Sequence, residues 1–456
     1  MPVNRPYGSE FDARLAFWLL AGFFVVLWFA GGASRADVAG QAVARFFAWI
    51  VLFVLVLSSH RINWRPVWPV ALLFALSVLT VLLQLLPLPP AAWSALPGHE
   101  ILLRGAEVSR QPQPWRPMSI SPSATVNALG SLVVPGAVLV LGANLSPSQH
   151  WRILALILAA IFAGCILGLL QFSGARFSNP LINYVAGSTS GNFANRNHFA
   201  LFVALGCLMA PVWGLQVEGR VRWKPITAIA LVVFFVLVIL AIGSRAGLVL
   251  TLIAMVLGFL IVRTRVMREI RALPRPIAIG IVASVPIAVV TAVVASISLN
   301  RAVAVDRVLD LEASSDLRSQ ALPHVVDATI RYFPFGSGFG TFDPAYRMVE
   351  PDELLRLVYF NHAHNDWLET VLTGGLPGAL LLIAALTWYA RATFRALRRE
   401  REGASLALVG SAGLLLFMIA SLVDYPARTP MGMAIVMVLA VWLQMTTRPS
   451  SAHRPG

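Results

Sequence analysis

Long apolar runs recur from one end of this chain to the other. A membrane-spanning helix needs about 20 apolar residues, and about twelve stretches approach or reach that length. They run from Leu15 to Gly32, Phe46 to Ser59 with a less apolar lead-in, Val67 to Leu86, Ala124 to Leu145, Trp151 to Phe172 and His198 to Leu215. Pro225 to Gly243 and Ala246 to Val262 follow, split only by Ser244 and Arg245, and then Pro276 to Ser298. After a long polar stretch come Trp367 to Ala390, Ser405 to Val423 and Pro430 to Met445. Composition agrees with a membrane setting: of 456 residues, 58% are hydrophobic and only 12% charged. The expectation is an all-α polytopic membrane protein with about twelve transmembrane helices. The first run lacks a convincing cleavage site and is followed by more spans, so it reads as a retained helix. Cys165 and Cys207, the two cysteines, both sit inside apolar runs. A disulfide framework, a CxxC redox pair and a cysteine zinc site are therefore excluded.

The formal charge of +14 would, in a soluble protein, point to nucleic acid. Topology gives it a different meaning. With a cytoplasmic N-terminus, twelve spans put both termini, including the 447–456 tail, on the cytoplasmic side. That side then collects 20 basic and six acidic residues, with Arg263, Arg265, Arg268, Arg271 and Arg275 in one loop. The opposite face holds 15 of each, so the whole surplus lies inside, as the positive-inside rule demands. Nucleic acid drops out as a partner, and membrane lipids take its place. Two sizeable loops fall outside. The first, 87–123, is rich in proline and is expected to be irregular and packed on other loops. The second, 299–366, holds ten of the 21 acidic residues. Within it, Leu317, Ala321, Val325 and Ile330 recur at helical spacing among polar residues, which suits a short helix on the membrane surface.

Polar side chains near membrane depth are functional candidates, and three clusters qualify, all on the outer face. The first is Gly191 to His198, with Asn195 and Asn197, where the plainer reading is a loop and helix cap. The second is Ser244, Arg245 and Gly247, in a turn so tight that the guanidinium stays at the boundary. It either snorkels to headgroups or clamps a phosphate, and its outer location favours the clamp. Arg428, beside Asp424 and Tyr425, shares that ambiguity, with Asp424 available to neutralise it. The third cluster is Asn361, His362, Ala363, His364, Asn365 and Asp366, with Glu369 one turn on. Two histidines beside acids admit a metal site, but the pattern is not His-Glu-x-x-His. A neutral imidazole acting as general base fits better. Gly374 and Gly378, four apart, are expected to share a face for close helix packing.

Here the chain resembles the O-antigen ligase and polymerase superfamily, polytopic enzymes of bacterial surface-polysaccharide assembly. The family signature is His, then Asn, Ser or Gln, nine residues, Gly, two residues, and Gly or a similar residue. It is met by His364, Asn365, the stretch 366–374, Gly375 and Gly378. Arg245 is similar to the family's outer-face arginine and Arg318 to its second one. Tyr332 to Phe342, with Gly336, Gly338 and Gly340, resembles the family's Pro-x-Gly-x-Gly-x-Gly segment. Gly191 to His198 is similar to its Asn-rich lead into a central helix. On this resemblance, 1–190 supplies N-terminal helices and the proline-rich loop, and 191–446 forms the catalytic region, including the 299–366 loop with short helices. The resemblance implies a GT-C type glycosyltransferase architecture in the bacterial inner membrane, with the active site facing the periplasm. The implied donor is a glycan on undecaprenyl pyrophosphate, and the implied acceptor a hydroxyl of lipid A-core or of a growing polysaccharide. No metal, nucleotide sugar or other cofactor is implied.

In the implied inverting displacement, His364 is the base, and Arg245 and Arg318 stabilise the departing diphosphate. Asn365, or a nearby carboxylate, orients the histidine. Asn195, Asn197, His198, His362 and Arg428 are candidate substrate-binding residues. The leading expectation is a ligase acting on lipid A-core; a polymerase of O-antigen or exopolysaccharide repeat units shares the donor chemistry and differs in acceptor. A protein-glycosylating transferase ranks lower, because relatives of that type often carry a large extra C-terminal region and about ten residues follow the last run here. A transporter is the competing class: twelve spans and boundary arginines suit it, but no internal repeat is evident and the histidines lie at the rim.

Overall fold

The computed structural model describes residues 10–58, 62–175, 179–183, 187–215, 223–271, 304–355, 360–398 and 405–445. Its apolar helices are α1 (Glu10–Ala30), α2 (Ala39–Leu57) and α3 (Trp68–Gln84), then α6 (Pro122–Ser131), α7 (Val133–Ala143) and α8 (Pro147–Phe172), with α4 (Pro90–Ser94) and α5 (Glu100–Val108) between them. The second half contains α9 (Arg196–Gly214), α10 (Trp223–Ile242), α11 (Arg245–Arg271), α12 (Ala304–Tyr332), α13 (Phe342–Arg347), α14 (Asp366–Arg398), α15 (Ser405–Ala420) and α16 (Pro430–Met445). Among the described residues, 8 helical segments are long and apolar enough to cross a membrane, with α6 and α7 forming one of them. Three shorter apolar helices, α3, α15 and α16, fill further expected positions. The expected span Pro276 to Ser298 lies outside the described residues.

The physical pattern is that of helices arranged in lipid. α9 is apolar on every side, as a helix must be when neighbours surround it, and it is enclosed by α8, α10, α11 and α15. α15 and α16 pack as a hairpin, and α16 leans on α7. On the perimeter, Trp18, Phe53, Ile229 and Ile383 remain largely exposed although apolar, the arrangement expected of side chains whose solvent is hydrocarbon. α2 begins earlier than its apolar run because its polar lead-in is satisfied. Gln41 Nε2 donates to the Ala33 carbonyl, and Arg45 Nη1 donates to Asn127 Oδ1 at 2.7 Å.

Three expectations are corrected. The proline-rich loop is ordered: Pro87 and Leu88 pair antiparallel with Pro117 and Arg116, enclosing α4 and α5. Pro90, the first residue of α4, supplies the fixed φ that starts a helix, and Trp93 locks the loop by donating to the Pro117 carbonyl. The 299–366 loop does contain helices, but its apolar stripe is divided. Ala321, Val325, Ala328 and Tyr332 face inward against Phe342, Tyr346 and Leu372, whereas Ile330 points outward at 69% exposure. The inward spacing of four, three and four is the true helical face. Finally, Gly374 and Gly378 do not share a face, because α14 breaks between them: Gly375 has φ 58° and ψ −146°.

That break has a partner. The glycine-rich segment after α12 docks into it, with Leu376 N donating to Pro334 O at 2.7 Å, Ser337 N to Leu372 O and Gly338 N to Thr373 O. A Cβ on Gly375 would stand 2.3 Å from Pro334 O, and one on Gly336 would stand 2.5 Å from Gly375 N. Gln84 of α3 bridges the joint, donating to Thr373 O and accepting from Phe339 N. The two glycine motifs therefore form one construction in which loop backbone meets helix backbone directly.

Candidate active site

Three helix starts, those of α9, α11 and α14, meet the turn from α15 to α16 at one end of the bundle. At their centre is Asp424, which is 3% exposed. Asn195 Nδ2 donates to both carboxylate oxygens, and Asn197 Nδ2 donates to Oδ2 at 2.9 Å. The Tyr425 backbone N–H donates to Oδ1. Two imidazoles complete the ring, with His198 Nε2 at 3.4 Å and His364 Nδ1 at 3.5 Å from Oδ1. Both distances exceed a full hydrogen bond, and these ring nitrogens have no other partner among the described residues. Burial by itself would raise the Asp424 carboxyl, but His198 and His364 hold it well below the usual carboxylate range.

His364 occupies a backbone conformation that is unusual for its type, with φ at +48°. A side-chain-bearing residue in the left-handed region carries strain, and such residues cluster at functional sites. The twist sits immediately before the N-terminus of α14, where Asn365 Oδ1 accepts from Leu368 N as a helix cap. Burial pushes His364 below the ordinary imidazole range; the Asp424 carboxylate opposes that shift, while Arg318 and His362 reinforce it. Arg318 is half-buried on α12 and lies close enough to bear electrostatically on both His364 and Tyr425.

A second carboxylate centre lies beside the first. Glu369, 1% exposed, accepts from His362 Nδ1 at 3.0 Å and from Ala363 N at 2.8 Å. Arg428 joins it through Nη1 at 2.9 Å and binds Asp366 through Nε. Asp424 is thus not the residue that neutralises Arg428; Asp366 and Glu369 are. Burial alone would lower the Arg428 guanidinium, and the two carboxylates hold it above its usual range. Tyr425 stands between the centres, its ring 4.3 Å from His362, 4.9 Å from His364 and 5.1 Å from His198.

The Arg245 turn is tied to the same network. Ser244, 3% exposed, accepts from Gly247 N and donates to Asn197 Oδ1 at 2.9 Å. Hydrogen bonds therefore run from Ser244 through Asn197 to Asp424, and His364 Nδ1 stands 3.5 Å beyond that carboxylate. Arg245 follows Ser244 directly, and its exposed guanidinium has no partner among the described residues. The other candidates are placed differently. His198 is buried at 4% exposure against Asp424, Asn195 and Asn197 turn their amides onto that carboxylate, and Arg428 is engaged by two acids. The glycines at 336, 338, 340, 375 and 378 lie in or beside the loop-to-helix joint below His364. Asp424 is the central residue that the sequence placed elsewhere; its only sequence signal was a buried-type acid adjoining an outer-face turn.

Fold and site together define the class: a multi-pass helical membrane protein with a buried polar constellation at its helix ends. Residues 229–383 match the family model described as O-antigen ligase. The match supports membership of the O-antigen ligase superfamily, a family of ligase- and polymerase-type glycosyltransferases with lipid-linked glycan and polysaccharide partners. It contains Arg245, Arg318, His364 and both glycine motifs, while Asn195, Asn197, Asp424 and Arg428 lie beyond its ends. Comparison with curated proteins gave no match.

Proposed function

We propose that this protein is an O-antigen ligase-like glycosyltransferase of the GT-C type. It moves a glycan from undecaprenyl pyrophosphate to a hydroxyl of lipid A-core at the periplasmic face of the inner membrane. The observation that carries the reading is the strained His364 held against a buried carboxylate, with Arg318 alongside, inside the family-matched segment. With Nδ1 directed at Asp424, the neutral ring keeps its lone pair on Nε2.

In the proposed reaction, Nε2 takes the proton of the acceptor hydroxyl as its oxygen attacks the anomeric carbon. The bond from that carbon to the diphosphate oxygen breaks, and the leaving diphosphate departs with the electron pair. The configuration at the anomeric carbon inverts. Arg318 and Arg245 stabilise the charge that develops on the diphosphate. The imidazolium then returns its proton to solvent. Asp424 fixes the tautomer of His364 and stabilises its charged form. Every step is assigned to side chains of this chain, and no metal takes part. Because donor and acceptor are both lipid-borne, the membrane holds them at one depth and reduces the entropy lost on encounter.

The test uses purified protein in lipid nanodiscs with lipid-linked glycan and rough lipopolysaccharide, in EDTA. Transfer is expected, and His364→Ala should lose about 10²–10⁴-fold, the usual contribution of a general base. Full transfer by that variant would remove His364 from the mechanism. A polymerase would instead extend a second lipid-linked repeat unit and leave rough lipopolysaccharide unmodified.

A further inference from the structure

His362 and Glu369 repeat the arrangement of His364 and Asp424, and both imidazoles pack against Tyr425. Glu369 is an ion-pair partner of Arg428 and accepts from the Ala363 backbone, so its oxygens are acceptors throughout. His362 Nδ1 must therefore be the donor in the 3.0 Å contact with Oε1, which leaves the lone pair of the neutral ring on Nε2. The His362 side chain is 17% exposed while Glu369 is buried, so the accessible edge of the ring is the one away from Glu369. Two imidazoles thus stand against one phenol ring, each with Nδ1 turned towards a buried carboxylate. Only one base is needed to deprotonate one hydroxyl.

The electrostatics select what the second imidazole binds. Around it lie the carboxylates of Asp366 and Glu369 and the guanidinium of Arg428, already paired to both. A diphosphate would meet net negative charge there, whereas Arg318, which bears on His364, and the exposed Arg245 offer it cations on the His364 side. A neutral hydroxyl suffers no such repulsion. We infer that His362 is an acceptor-binding residue: its Nε2 takes a hydrogen bond from a second hydroxyl of the acceptor sugar while His364 deprotonates the first. The inference rests on the glycosyl-transfer reading above and adds that the acceptor is a polyol held at two hydroxyls.

The experiment measures transfer in nanodiscs with rough lipopolysaccharide and with monodeoxy versions of its terminal sugar. His362→Ala is expected to raise the acceptor KM roughly tenfold, the worth of one lost hydrogen bond. The donor KM and the pH profile set by His364 should stay in place. One monodeoxy acceptor should be about tenfold poorer for the unaltered enzyme yet no poorer than the parent acceptor for His362→Ala, since the two deletions remove the same bond. His362→Asn, which retains a donor for Glu369 but no projecting ring nitrogen, should show the same acceptor defect in folded protein. Equal responses of both enzymes to every monodeoxy acceptor would overturn the assignment, as would a rise in donor KM alone. Either result, with His364→Ala still inactive, would leave the transferase reading standing; an active His364→Ala would sink that reading instead.

Discussion

The two carboxylate centres flanking Tyr425 differ in what balances them. Glu369 and Asp366 are both paired with Arg428, a full cation that keeps its charge at any physiological pH. Asp424 is held by two amides, a backbone N–H and two imidazoles, and no arginine or lysine contacts it among the described residues. A carboxylate matched by a guanidinium is a fastening. One surrounded by neutral dipoles and titratable rings keeps its field available, and here that field falls on His364. On the proposed reaction, the first centre holds helix ends together and the second polarises the base His364.

The largest effect that tests this contrast is on folding. Arg428→Ala leaves the buried Glu369 and the half-buried Asp366 without their cation, and breaking a buried pair costs about 3–5 kcal/mol. A marked fall in melting temperature in nanodiscs is expected, partly restored by adding Asp366→Asn and Glu369→Gln. An unchanged melting temperature would remove the fastening role. Next comes Asp424→Asn, expected to lower transfer by roughly 10–100-fold, as for other residues that orient a reactive imidazole, with a smaller change in melting temperature. Its pH dependence has a definite sign. Burial lowers His364 and Asp424 opposes that, so removing the carboxylate leaves burial unopposed. The acid limb of kcat/KM should move to lower pH; movement to higher pH would contradict the arrangement. Smallest is the exchange of Arg318 or Arg245 for Lys, which keeps charge but loses the two-pronged donor geometry. A drop of about tenfold or less is expected at saturating acceptor, and unchanged turnover would reduce both to membrane anchors.

Much of this molecule was legible along the chain. Apolar run length located the helices because lipid imposes a backbone rule that few sequences escape. His364, Gly375 and Gly378 were legible as a motif, and Arg318 only through the family resemblance. The physical content of the motif was not. Gly375 reads only as a motif position until its positive φ and the Pro334 carbonyl against it are seen, since loop insertion into a helix leaves no periodicity. Asp424 was paired with the wrong residue because its neighbour in sequence, Arg428, is a turn away, whereas His364 is 60 positions earlier. The stripe on α12 was half right: Ala321 and Val325 face the protein, but spacing alone cannot tell Ala328 from Ile330 without knowing which side the core lies on.

The path from Ser244 to His364 also bears on how such proteins can be recombined. Asn197 and Asp424 lie outside the 229–383 match on either side, so the segment that carries the family signature does not carry its own electrostatics. A chimera that exchanged only that segment between relatives would set a new histidine against a resident carboxylate and a new serine against a resident amide. Inheritance at this site is by constellation, and the short turns at 195–198 and 424–428 would have to travel with the histidine they serve.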